Sequence, residues 1–168
     1  MGLVLFAPLS VHADRKNAIQ GLRLPLLGMD RGKPAANVQI GSMHMGSQRR
    51  GVFRIGLLPL AVCEDVTITF LTPDPAAFDD FPKTFVVMAK TSVVEIRNLE
   101  VRVSGGDAPL FKAGSAQVAS GKAWELSNVT LSDGSWMQSA HLEVSEGKAS
   151  LRSTDKNHQS ETILLFKK

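Results

Sequence analysis

The stretch E-I-R-N-L-E-V at residues 95–101 is repeated in related form as E-L-S-N-V-T-L at residues 125–131, and this internal repeat indicates the architecture of the fold. Both copies contain an acidic residue, an aliphatic residue, an asparagine and two alternating aliphatic residues. The triplet G-K-A also occurs twice, at residues 121–123 and 147–149. A repeated unit of this length is one supersecondary element that cannot bury its apolar face alone and therefore stacks on its neighbours. The repeat thus predicts a sheet of similar, stacked strands.

Within each copy the alternation of apolar residues slips by one position at the asparagine. The apolar series passes from Ile96 to Leu99 across Asn98, and the second copy does the same across Asn128. A one-residue slip predicts a β-bulge or a corner, because two residues then oppose one on the neighbouring strand. Asparagine tolerates the unusual backbone that a corner needs. We therefore predict a structural role for both asparagines.

Turn-forming residues separate β-like segments throughout the second half of the chain, and this pattern predicts an all-β protein. The predicted strands are residues 85–89, 93–103, 110–118, 123–131, 136–144, 149–153 and 162–166. In the first half, residues 21–28, 38–40, 52–63 and 66–71 are strand-like, and residues 41–51 are predicted to be a loop.

The segment at residues 72–82 differs from the rest because it carries three prolines. Proline cannot donate to a sheet ladder, so we expect an ordered connection with at most one helical turn. Phe78 and Phe81 are predicted to pin this connection to the core, since exposed pairs of phenylalanine are uncommon.

The composition predicts one domain: the chain has 168 residues, of which 43% are hydrophobic and 21% charged. An apolar run followed by V-H-A makes residues 1–13 a candidate signal peptide, and a buried first strand of an intracellular domain is the alternative. The signal peptide predicts an exported protein of the periplasm or cell envelope. Residues 14–168 would then form the single all-β domain, with a basic part at 14–82 and the repeated strands at 83–168.

The residue types needed for catalysis do not form a recognisable constellation. The four histidines are scattered, and the single Cys63 lies in an apolar strand that would keep its thiol unreactive. Of the histidines, only His44 lies in a segment where a ligand role merits attention. The sequence therefore predicts a protein that is not an enzyme and has no metal or other cofactor.

Residues 124–151 resemble the repeat of the OstA-like family, which comprises periplasmic lipopolysaccharide-transport proteins of the LptA and LptC type. The resemblance rests on the pattern N-V-x-L-x-D-G followed by alternating A-x-L-x-V. Residues 95–119 are a looser copy, and the resemblance covers about 93–166. Residues 49–68 are instead similar to AsmA-like envelope proteins. The resemblance implies stacked antiparallel strands in an open twisted jellyroll or β-solenoid-like sheet, whose apolar groove passes acyl chains between subunits.

Alternation within the repeats assigns eleven side chains to the inward face. They are Ile96, Leu99, Val101, Val118, Trp124, Leu126, Val129, Leu131, Trp136, Leu142 and Val144. These side chains line either a ligand groove or a closed core. In the groove hypothesis, Arg49, Arg50 and Arg54 bind the phosphates of anionic lipid or lipopolysaccharide headgroups.

The sequence also bears on two other classes of partner, nucleic acid and protein. Nucleic acid is not expected, because Phe53 is the only aromatic residue near the three arginines and the chain has no tyrosine. The alternative function is a structural or interaction protein of the envelope that pairs with partners through strand edges. Residues 161–166, followed by two lysines, are the candidate edge for a head-to-tail protein partner.

Overall fold

The computed structural model describes residues 18–28, 32–47, 59–91, 93–155 and 160–166. Nine strands and one helix lie in these ranges. In chain order they are β1 (Ile19–Leu27), β2 (Pro34–Ser47), β3 (Pro59–Phe70), α1 (Ala76–Ala89), β4 (Val93–Val103), β5 (Phe111–Ala119), β6 (Trp124–Leu131), β7 (Trp136–Ser145), β8 (Lys148–Ser153) and β9 (Glu161–Phe166).

The nine strands form one sheet in which each strand lies beside its neighbours in the sequence. All described pairs are antiparallel except β3 and β4, which are parallel. Within the described residues β1 pairs only with β2 and β9 only with β8, so the sheet is open. The predicted all-β class with an open twisted sheet is confirmed, although one strand pair is parallel rather than antiparallel.

The predicted slips at the two asparagines are also confirmed. Asn98 and Asn128 have φ angles of 56° and 54°, in the left-handed region. Asp65 adopts the same conformation, and it lies between the β3–β4 pairs Glu64↔Arg97 and Val66↔Leu99, opposite Asn98. The Asn98 amide donates a hydrogen bond to the Asp65 carboxylate at 3.0 Å.

Glycines face these left-handed residues where the backbones approach closely. A Cβ at Gly41 would lie 3.0 Å from the Asp65 Cβ, and one at Gly114 would lie 3.3 Å from the Asn128 Cβ. The unpaired positions of β1 to β7 therefore form one line across the sheet, along which these strands slip together. We call this line the corner; it consists of Gly21, Gly41, Asp65, Asn98, Gly114, Asn128 and Gln138.

The helix corrects two predictions. Residues 72–82 hold more than one helical turn, because α1 runs for 14 residues, and the predicted strand at 85–89 is the C-terminal part of this helix. Asp74 Oδ1 accepts a hydrogen bond from the Ala76 N–H at 3.1 Å and so satisfies one N–H of the first turn. Pro82 lies inside the helix without ending it. The prediction that Phe78 and Phe81 join the core is confirmed, because both are fully buried.

The first half of the sheet differs from the predictions in two places. The loop predicted at 41–51 is strand at least to Ser47, where β2 ends. The two strands predicted at 52–63 and 66–71 are one strand over the described residues, because β3 passes through the corner at Asp65 without breaking. The candidate signal peptide at 1–13 lies outside the described residues.

One face of the sheet carries the main core, and we call it the inner face. Its buried side chains include Leu26, Ile68, Val101, Phe111 and Leu165, so the apolar layer extends from β1 to β9. The opposite, outer face is largely polar, although Leu60 and Val62 at the start of β3 and the neighbouring His44 of β2 are also buried. The phenylalanines of α1 belong to the same buried cluster as the inner face, so α1 lies on that face.

The corner predicts a specific response to substitution at Asn128. Asn128→Val should lower the free energy of unfolding by about 1–2 kcal/mol, because a β-branched residue is disfavoured at positive φ. Asn128→Gly is the matched control and should stay close to the parent protein. Urea denaturation of the three proteins would measure the difference, and equal losses for Val and Gly would contradict the backbone explanation.

Candidate functional site

Nine of the eleven side chains predicted to face inward are buried on the inner face. Val144 is half-buried and contacts the same core. Trp136 contradicts the prediction, since it is 60% exposed and pairs with the exposed Thr130. The alternation in β7 slips between Met137 and Ala140, and this slip places residue 136 on the outer face.

Helix α1 covers the inner face with aromatic side chains. The Phe78 ring lies 4.9 Å from the ring of Phe70 and 5.4 Å from that of Trp124. The Phe81 ring lies 5.3 Å from Trp124 and 4.8 Å from Phe85. The inner face is therefore packed against aromatic side chains beneath the helix.

Two clefts lie along one side of α1. The first, of about 440 Å³, runs between the helix and the ends of β6 and β7. Trp124, Leu142 and Val144, three of the predicted inward residues, form its apolar wall. The second, of about 520 Å³, lies between the C-terminal part of α1 and the β4–β5 pair, with Val86 and Val93 in its walls. Both volumes fall in the range typical of small-molecule sites.

Three lysines border the clefts. Lys83 and Lys122 line the first cleft, and Lys122 and Lys90 line the second, so that Lys122 belongs to both. Within the described residues, neither Lys90 nor Lys122 forms an ion pair with a carboxylate. Lys90 and Lys122 thus lie at the clefts without an ion-pair partner in these ranges, whereas Lys83 neighbours Asp79.

Two carboxylates, Asp79 and Glu143, also line the first cleft. Partial desolvation raises the pKa of Asp79, and the neighbouring Lys83 offsets part of that rise. A raised pKa means that the environment favours the neutral form of this carboxyl group. The negative charge of a ligand is therefore less favourable beside Asp79 than beside the three lysines.

A small number of polar contacts attach α1 to the sheet. Asp80 Oδ2 accepts a hydrogen bond from the backbone N–H of Leu27, at the end of β1, at 2.9 Å. At the start of the helix, Asp74 is buried against Gly28, where a Cβ would lie 2.1 Å from Asp74 Oδ2. The other contacts described between helix and sheet are apolar, chiefly those of Phe78 and Phe81.

The outer face carries a different kind of cleft, of about 400 Å³, along the corner. Asp65, Asn98, Lys112 and Asn128 line it. The lysine of this cleft forms an ion pair, since Lys112 Nζ lies 3.0 Å from Glu100 Oε2. The corner backbone accounts for both asparagines, and the predicted structural role is sufficient to explain them.

The remaining candidate residues are the three arginines, His44 and Cys63. Arg49, Arg50 and Arg54 lie outside the described residues. His44 is buried opposite Val62 on β3, and its Nε2 has no hydrogen-bond partner. No group of three or more histidine, cysteine or acidic side chains in the described ranges could hold a metal ion. Burial raises the pKa of the Cys63 thiol to about 12, so the predicted unreactive thiol agrees with the structure.

Sequence reasoning missed the lysines beside α1 because it missed the helix. Phe78, Phe81 and Phe85 recur at the spacing of one helical face, and Lys83, Val86 and Lys90 recur on another. This spacing was the sequence signal for α1, but the three prolines of residues 72–82 argued against a helix there. Lys122 belongs to the repeated G-K-A triplet, which marks the start of β6.

Comparison of the chain with protein-family models, with curated proteins and with solved structures found no significant match. Of the helices in the described ranges, none has the length and apolar character needed to cross a membrane.

Asp79 and Glu100, whose pKa values are shifted in opposite directions, predict opposite effects of charge removal. Ionised Asp79 is disfavoured by the fold, so Asp79→Asn should raise stability at pH 7. The gain should shrink as pH falls through the raised pKa and should vanish below the ordinary aspartate value near 4. Glu100 has a lowered pKa because of a hydrogen bond and attraction from Lys112, together with Arg102. Its contribution is present above the ordinary glutamate value and is lost as pH falls through the lowered one, so Glu100→Gln should lower stability at pH 7.

Thermal unfolding of both variants between pH 3 and pH 7 would measure these differences. The stability difference between each variant and the parent protein should become smaller toward pH 3. A loss of stability in Asp79→Asn at pH 7 would contradict the assignment of a desolvated carboxyl group at the first cleft.

Proposed function

We propose that this protein is a non-enzymatic protein of the cell envelope that binds or passes anionic lipid, such as lipopolysaccharide, with the acyl chains against the inner face of its sheet. The observation that carries the proposal is the position of Trp124. This side chain belongs both to the core beneath α1 and to the wall of the first cleft, where Lys83 and Lys122 lie beside it.

An amphipathic anion matches this arrangement in two respects. The inner face offers a continuous apolar layer, and acyl chains are favourable against such a surface because both leave water. The lysines at the clefts offer cations, and cations near a lipid phosphate attract it over several ångströms in water of low ionic strength. Three of the residues predicted to line a groove, Trp124, Leu142 and Val144, are those that reach the first cleft.

The competing function is an interaction protein that uses its strand edges. Ile19 on β1 and Ile163 on β9 are exposed by 51% and 59%, and both lie on strands with one neighbour in the described sheet. An exposed apolar edge strand can pair with another chain. A head-to-tail partner is compatible with the lipid proposal, because passing lipid between subunits also requires contact between edges.

The lipid proposal predicts which lysines affect binding. Lys83→Ala and Lys122→Ala should each weaken binding of an anionic phospholipid about fivefold at low salt, which corresponds to about 1 kcal/mol per cation. Lys112→Ala is the matched control, since Lys112 lies on the outer face in an ion pair. Native mass spectrometry with anionic and zwitterionic lipids would measure the bound fraction. The absence of bound lipid in the parent protein would contradict the proposal.

A second measurement locates the acyl chain. A photo-crosslinking amino acid at Val144, in the wall of the first cleft, should label bound lipid, whereas the same group at the exposed Trp136 should not. Equal labelling at the two positions would indicate adsorption of lipid to the surface rather than binding at the cleft. Absence of labelling at both, with no lipid retained, would favour the edge-strand function.

A further inference from the structure

We propose that α1 is a displaceable lid, whose phenylalanine side chains occupy the inner face until an acyl chain takes their place. This inference rests on the proposed function and adds to it a mechanism of access. It concerns the segment between Phe70, the last residue of β3, and Val93, the first residue of β4.

The first argument is that α1 can leave without breaking the sheet. β3 and β4 are directly paired along their whole described length, from Leu60↔Val93 to Phe70↔Val103. The helix is the connection between these two strands and is not a strand of the sheet itself. Its removal from the inner face would therefore leave every described strand pair intact.

The second argument is the kind of contact that holds the helix in place. Phe78, Phe81 and Phe85 are fully buried, and the rings of Phe78 and Phe81 contact Trp124. Apolar contacts are non-directional, so a hydrocarbon chain can replace a phenyl ring without leaving a polar group unsatisfied. The hydrogen bond from the Leu27 N–H to Asp80 is solvent-exposed, and water can replace it. The other polar attachment, Asp74 buried against Gly28, precedes the first residue of α1.

The third argument is the position of the two clefts. They lie on the same side of α1, where Asp79, Lys83, Val86 and Lys90 follow one another at helical spacing, and they share Lys122. An acyl chain that begins in either cleft therefore lies beside the helix, and the adjacent inner-face residues are the ones that α1 covers. Trp124 is the side chain at which the first cleft and the covered surface meet.

A reversible crosslink between the helix and β1 tests the lid. Cysteines at Leu27 and Asp80, in a Cys63→Ala background, can be joined by a bis-maleimide linker that contains a reducible disulfide, because the parent side chain of Asp80 reaches the Leu27 backbone. The linked protein should retain less than about a tenth of the anionic phospholipid that the unlinked protein binds. Reduction of the linker should restore binding in the same sample.

The possible results of this experiment distinguish the lid proposal from the proposed lipid-binding function. If linked and unlinked proteins bind the lipid equally, the lid is overturned and the lipid-binding function stands. If neither the unlinked nor the linked protein binds lipid, both are overturned. Circular dichroism of the linked protein before and after reduction would establish that the linker leaves the fold unchanged.

The tether at Asp80 supplies a second test that needs no linker. Asp80→Ala removes the acceptor for the Leu27 N–H and should increase the rate of lipid uptake severalfold. Asp80→Asn is the matched control, because its carbonyl oxygen can still accept the hydrogen bond. In a Trp136→Phe background, Trp124 is the one remaining tryptophan of the two in the chain, and a lipid with brominated acyl chains would quench it as uptake proceeds. Equal uptake rates for Asp80→Ala, Asp80→Asn and the parent would overturn the lid.

Discussion

The parallel pairing of β3 with β4 is the constraint on which the rest of the structure depends. Antiparallel neighbours can be joined by a tight turn, whereas parallel neighbours need a crossover of a dozen or more residues. The chain that leaves β3 at Phe70 must therefore return along the length of the sheet before β4 begins at Val93. Helix α1, about 21 Å long at 1.5 Å per residue, makes that return. Because the return lies over the apolar face, the helix must be apolar on one side, and its three phenylalanines meet this requirement.

The corner shapes the surface on which the helix lies. A slip of one residue in a single strand would move the rest of that strand's side chains to the opposite face. The slip is shared from β1 to β7, so the apolar side chains stay on one face while the sheet bends. Asp65, Asn98 and Asn128 supply the left-handed backbone, and Gly41 and Gly114 supply the space beside it. The repeated sequence pattern therefore reflects a bend that neighbouring strands share.

The second half of the fold could be predicted from the sequence because its signals are local. Turn residues and period-two alternation place β4 to β9 within a residue or two of their observed bounds. The helix could not be predicted by the same reasoning, since the prolines of residues 72–82 argued against a regular element while tertiary packing of Phe78, Phe81 and Phe85 stabilises it. The candidate site depends on that helix, so Lys83 and Lys90 could not be assigned to it in advance. The predicted inward position of Trp136 was wrong because the slip continues into β7 at Gln138, opposite Asn128, and places Trp136 on the outer face.

The distribution of ion pairs separates the two faces of the sheet more clearly than net charge does. On the outer face charges are matched: Arg97 pairs with Glu64 and Glu95, and Glu100 pairs with Arg102 and Lys112. Beside α1, Lys90 and Lys122 have no such partner among the described residues, although both line clefts with apolar walls. Exposed ion pairs contribute little to stability, so this difference between the faces matters for binding more than for folding. Under the proposed function, the phosphate of an anionic lipid would lie beside Lys90 or Lys122, whereas a partner bound only at the strand edges would contact neither lysine.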